Sequence, residues 1–138
     1  MSAEELWRQI LESRHSLKSG SLCFWGHWFG RPMDNWHTIV NAELLEDVLI
    51  LYFNNAETLA VYNPSRCSLD GGRLVIGDAA SIEFRWFYYG KKPDAESLQM
   101  MKIWKDGAKL RPETDFLPHL PKQDLDPNKP AVELHSSF

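Results

Sequence analysis

The chain has 138 residues, the length of one domain with its own core. Apolar residues make up 43% and charged residues 25%, which excludes global disorder. The net charge of -4 argues against a nucleic-acid binder, because neutralising phosphates takes a basic face.

Ser2 and Glu5 fit a capping box that opens a helix. Leu6, Trp7, Ile10, Leu11 and Leu17 then fall on one helical side, and Gly20 is a stop. The spacing predicts a helix over 3–18, packed by its apolar stripe onto a sheet. The acids early in this segment do not read as a secretory leader. No stretch reaches the roughly 18–20 apolar residues of a membrane helix. The expected compartment is the cytoplasm. Cys23 and Cys67 are too few for a disulfide framework and read as small buried hydrophobes in a reduced compartment. A single bridge between them is also compatible with the sequence.

Strand patterns follow. Leu22 to Phe29 reads as one strand and Trp36 to Glu43 as the next, with a turn at Arg31–Asn35. Val48 to Phe53 is apolar throughout, as in a strand covered on both faces. Thr58 to Tyr62 is its hairpin partner, Asn63-Pro64-Ser65 breaks the run, and Arg73 to Ile76 follows a turn at Asp70-Gly71-Gly72. In Ser81 to Tyr89, Ile82, Phe84, Trp86 and Tyr88 alternate with Glu83, Arg85, Phe87 and Tyr89. Segment 94–106 fits either a helix capped by Asp94 or a hairpin turning at Asp106-Gly107, and the Asp-Gly pair favours the hairpin.

Pro112, Pro118, Pro121, Pro127 and Pro130 punctuate the remainder too often for helix or sheet. The expected organisation is a single α+β domain over 1–111 and a Pro-rich tail over 112–138, extended or disordered. The domain would carry its N-terminal helix on a twisted antiparallel sheet or open barrel of roughly six to eight strands. Deleting the tail from about residue 122 should then change stability by no more than about 0.5 kcal/mol.

The functional candidates concentrate in Phe24 to His37. Period-two geometry places Cys23, Trp25, His27 and Phe29 on one face of the first strand. Trp25, Trp28 and Trp36 would wall a binding surface, with His27, Arg31 and Asp34 as its polar groups. The bland reading is that the aromatics are core, that His27 is a core histidine or a rim histidine bonded to a carbonyl, and that Arg31 pairs with Asp34 across the turn. His27, Asp34 and His37 are a legitimate Zn²⁺ or Fe²⁺ set, but their spacing matches no metal motif. No G-x-S-x-G elbow, phosphate loop or C-x-x-C occurs.

The expected function is therefore a non-catalytic binding module for a small ligand or a protein partner, using the aromatic loop 24–37. No cofactor, nucleic acid or membrane is implied. One alternative is a small enzyme, metal-dependent or not, built on His27, Asp34 and His37. Another is a dimeric interaction or inhibitor protein.

Overall fold

The computed structural model describes residues 5, 8, 20–28, 37–54, 56–70, 73–87, 98–113 and 125–136. Eleven strands form among them: β1 Gly20–Phe24, β2 His27–Trp28, β3 Ile39–Leu45, β4 Val48–Phe53, β5 Thr58–Tyr62, β6 Ser65–Asp70, β7 Arg73–Asp78, β8 Ser81–Phe87, β9 Leu98–Asp106, β10 Lys109–Glu113 and β11 Val132–Ser136. They pair antiparallel in two sheets. The five-stranded sheet has the order β2-β1-β11-β7-β6, and the six-stranded sheet β10-β9-β8-β5-β4-β3.

Alternation of side chains explains the layering. In β4 the residues are alternately half-buried and buried: Leu49, Leu51 and Phe53 point inward, while Val48, Ile50 and Tyr52 take the other face. The apolar run is thus covered fully on one face only. Leu59 and Val61 of β5, Ile82 and Phe84 of β8, and Met101 and Ile103 of β9 extend the same inner layer. Leu22 and Phe24 of β1, Leu74 and Ile76 of β7, and Val132 and Leu134 of β11 face them. Phe24 and Phe84 meet between the sheets, with ring centroids 5.7 Å apart. A further link joins the sheets at one end, where Gly20 and His37 exchange backbone hydrogen bonds of 2.9 and 2.8 Å.

On the opposite face of the six-stranded sheet, polar and aromatic side chains pair across strands in one case and along a strand in two. Tyr52 donates to Glu43 at 2.8 Å, Arg85 donates to Glu83 at 2.7 Å, and Lys102 sits 4.2 Å from the Trp104 ring centre. Of the ambiguous segment 94–106, residues from Leu98 onward form the hairpin alternative, and 94–97 lie outside the described residues. β9 and β10 pair from Asp106↔Lys109 to Lys102↔Glu113 around a left-handed Gly107.

Three expectations are corrected. The α+β class does not hold, because strand accounts for 73% of the described residues and none of them forms a helix packed on a sheet. Of the helix expected over 3–18, only Glu5 and Arg8 are described. Both have helical backbone and both are exposed, and the rest of that segment lies outside the described residues. The tail reading fails for 125–136, since β11 lies between β1 and β7 at the centre of its sheet with Ala131, Val132 and Leu134 buried. Its prolines, Pro127 and Pro130, precede the strand and remove no ladder donor. Finally, the strand expected over 22–29 is a hairpin broken at Trp25-Gly26.

Cys23 and Cys67 are both free thiols. No helix among the described residues is long and apolar enough to cross a membrane.

Candidate functional site

The hairpin of β1 and β2 is set by two residues with positive φ, Trp25 at 46° and Gly26 at 82°. A type I′ turn needs this sign at both central positions, because its twist matches that of the flanking strands. For tryptophan the left-handed region is costly, about 1–2 kcal/mol. Burial and hydrogen bonding hold it there. Trp25 is 0% exposed, its backbone N–H donates to the Pro130 carbonyl at 3.0 Å, and its backbone carbonyl accepts from the Asp126 N–H at 2.9 Å. Glycine suits the second position as well, since at φ 82° any Cβ is strained, and one there would also crowd Lys129 Cγ at 3.2 Å.

This turn reverses the face assignment expected from an unbroken strand. Phe24 pairs with His27, so His27 shares the inner face with Phe24. Cys23 pairs with Trp28, so Trp28 shares the outer face with Cys23. His27 is buried. Neither of its ring nitrogens, nor the Trp25 Nε1, has a hydrogen-bond partner among the described residues. Burial lowers the His27 pKa and keeps the ring neutral.

The outer face gathers different chemistry. Trp28 is 44% exposed, the largest aromatic among the exposed hydrophobic residues. Its ring meets that of His135 edge-on, with centroids 5.0 Å apart. His135 Nε2 lies 3.0 Å from Glu133 Oε1, and the same carboxylate oxygen accepts from Arg73 Nη2. Cys23 of β1 stands opposite Glu133 of β11 in the ladder. Burial works against a charge on Glu133, yet the hydrogen bonds from Arg73 and His135 prevail and hold its carboxyl below the usual range. Burial, reinforced by that negative neighbour, pushes the Cys23 thiol up to about 11. Cys23 is therefore a protonated packing residue rather than a nucleophile.

Of the residues expected in the site, Trp25 belongs to the core, His27 to the inner face and Trp28 to the outer face. Arg31, Asp34 and Trp36 lie outside the described residues. His37, from the enzyme alternative, is buried against Phe53 and Phe84, with Nδ1 3.5 Å from Glu57 Oε1. Among the described residues no group of three His, Cys, Asp or Glu could hold a metal ion. Arg73, Glu133 and His135 were missed by the sequence reading. The available signal was the alternation Val132-Glu133-Leu134-His135, which marks a strand with its polar residues on one face.

A scan against protein-family models, a search of curated proteins and a search of solved structures return no match.

Proposed function

We propose that the protein is a non-catalytic binding module for a protein partner, contacted through Trp28, His135 and Arg73 on the outer face of the five-stranded sheet. The observation carrying this reading is a half-exposed tryptophan held beside a charge network. The Arg73 side chain is 51% exposed and keeps donors for a partner, while its Nη2 is anchored on the nearly buried Glu133. Tryptophan and arginine are the side chains that most often dominate binding energy at interfaces. Trp28 on β2 and Arg73 on β7 are three strand spacings apart, about 14 Å. That spread suits a macromolecular contact better than a small ligand, whose polar partners converge in a concave pocket. Free thiols at Cys23 and Cys67 support a reduced compartment, and we assign the protein to the cytoplasm on that ground.

The test uses the full chain as immobilised bait beside Trp28→Ala and Arg73→Ala, both first shown to unfold like the wild type. A stoichiometric partner retained by the wild type and lost from both variants supports the reading. A partner held equally by all three removes its basis.

A further inference from the structure

The edge strands of the two sheets differ in how open they are. β2 is two residues long, β3 carries a register shift between Ile39 and Asn41, and β10 contains Pro112, all features that discourage further pairing. β6, Ser65–Asp70, is six residues long and contains no proline. Arg66, left-handed at a φ of 54°, bounds its regular stretch, which runs from Cys67 to Asp70. Only two residues separate Asp70 from its ladder partner Arg73, so that pair exchanges both backbone hydrogen bonds. Bonding then alternates along the strand. Ser68 turns its N–H and carbonyl toward β7, while Cys67 and Leu69 turn theirs to the open side, where no strand stands among the described residues.

We propose that β6 pairs antiparallel with β6 of a second copy of this chain, about a two-fold axis at Ser68. The sequence Arg66-Cys67-Ser68-Leu69-Asp70 complements its own reverse: cation, apolar residue, serine, apolar residue, anion. In the antiparallel pair, Arg66 falls opposite the partner's Asp70, Cys67 opposite the partner's Leu69, and Ser68 opposite the partner's Ser68. The outward backbone groups of Cys67 and Leu69 are the ones this register joins by hydrogen bonds. Opposite charges facing across two strands attract, and the symmetry makes the Arg66–Asp70 pair twice. The Arg66 side chain is 73% exposed, and 3.6 Å separates it from Asp78 of its own chain, so its guanidinium keeps donors for a second carboxylate. Cys67 packs against the core and stands opposite Ile76, and Leu69 stands opposite Leu74. The apolar rows of the two five-stranded sheets thus run on across the junction. A two-fold contact closes on itself, so assembly stops at two chains. This pairing does not rest on the function proposed above, because its axis lies on the edge strand and not on the outer face.

The experiment is sedimentation velocity on the full chain across the micromolar range. The expected result is a concentration-dependent shift from 16.0 kDa, the mass of one chain, to twice that mass. Arg66→Asp makes both charge pairs repulsive and should weaken the dimer about 5- to 30-fold. Adding Asp70→Arg to it restores the pairs with their signs exchanged and should recover the dimer. Ser68→Cys, in a Cys67→Ser background, puts two thiols on the axis, where facing Cα atoms lie about 4.5 Å apart, within disulfide reach. Oxidation should link that variant into a dimer, whereas Ser65→Cys in the same background lies off the axis and should not link. Arg66 and Ser68 are both exposed, so their variants should keep the fold, and each is first shown to melt like the wild type. A monomer at every concentration overturns the proposal. So does a dimer that Arg66→Asp leaves unchanged, or one that Ser68→Cys fails to link.

Discussion

Removal of β11 is the most demanding test of the fold. Deleting the chain from residue 122 takes away Ala131, Val132 and Leu134, all at most 1% exposed. Burying a valine and a leucine contributes about 1.5–3 kcal/mol each, hence about 3–6 kcal/mol together. The loss does not stop at side chains. β11 pairs with β1 over Gly20↔Ser136 to Cys23↔Glu133 and with β7 over Val132↔Ile76 to Leu134↔Leu74. Both neighbours would be left with unsatisfied backbone groups beside the core, each costing about 1–3 kcal/mol where water cannot reach. The backbone clasp on the strained Trp25 turn, from Asp126 and Pro130, would go too. The sum matches or exceeds the roughly 5–15 kcal/mol by which a domain is stable. The truncated chain is expected to lack a cooperative urea transition by far-UV and near-UV circular dichroism. Leu134→Ala, a milder version, should cost about 2–5 kcal/mol. A truncated protein that unfolds cooperatively at the wild-type midpoint would refute the placement of β11.

The remaining predictions probe the β1–β2 hairpin and the pairing of β6 with β7. His27→Phe should raise stability at pH 7 by about 1–3 kcal/mol, because it removes two buried nitrogens that find no partner among the described residues. Its pKa is lowered in the fold, so the unfolded chain binds the proton more readily. Wild-type stability should therefore decline as pH falls below the ordinary histidine value, and His27→Phe should lose that share of the slope in urea midpoints measured from pH 8 to 5. Trp25→Ala should cost about 3–5 kcal/mol as a core deletion, whereas Trp28→Ala should cost no more than about 1 kcal/mol. Equal losses in thermal melts would contradict the opposite placement of the two rings. Gly77→Ala should destabilise by about 1–3 kcal/mol, since its Cβ would lie 2.9 Å from Cβ and 3.1 Å from the backbone oxygen of Arg66, itself held at a positive φ of 54°. An unchanged melting temperature would show that Arg66 yields.

Where sequence pattern and structure agree, the forces are local. Val48–Phe53 and Thr58–Tyr62 are formed with the expected bounds, because runs of β-branched and aromatic residues bounded by turn residues leave little choice. The Asp106-Gly107 pair marked a real hairpin. The failures are of another kind. Trp-Gly is an unusual I′ turn, since its cost is met by burial of Trp25 under residues distant in sequence. No local pattern announces it, and missing it inverted the faces of His27 and Trp28. β6, Ser65–Asp70, was hidden because its polar residues fit an edge strand as well as a loop. β11 was hidden by composition: prolines on the approach suggested a tail, while the strand is only five residues long. Trp28 was legible as a candidate from its type alone. Its partners His135, Glu133 and Arg73 were not, because only the strand order β2-β1-β11-β7 brings them together.

That strand order also bears on how the protein is made. β1 is the first strand described and β11 the last, yet they are neighbours, with Gly20 opposite Ser136. During synthesis, β1–β2 and β6–β7 exist as separate hairpins with open edges until β11 emerges. The six-stranded sheet, whose strands all lie between residues 39 and 113, can pair earlier and offers a surface on which they wait. Closure of the smaller sheet thus waits for β11, and a ribosome that stalls before it leaves two sticky edges exposed rather than a shortened but folded sheet.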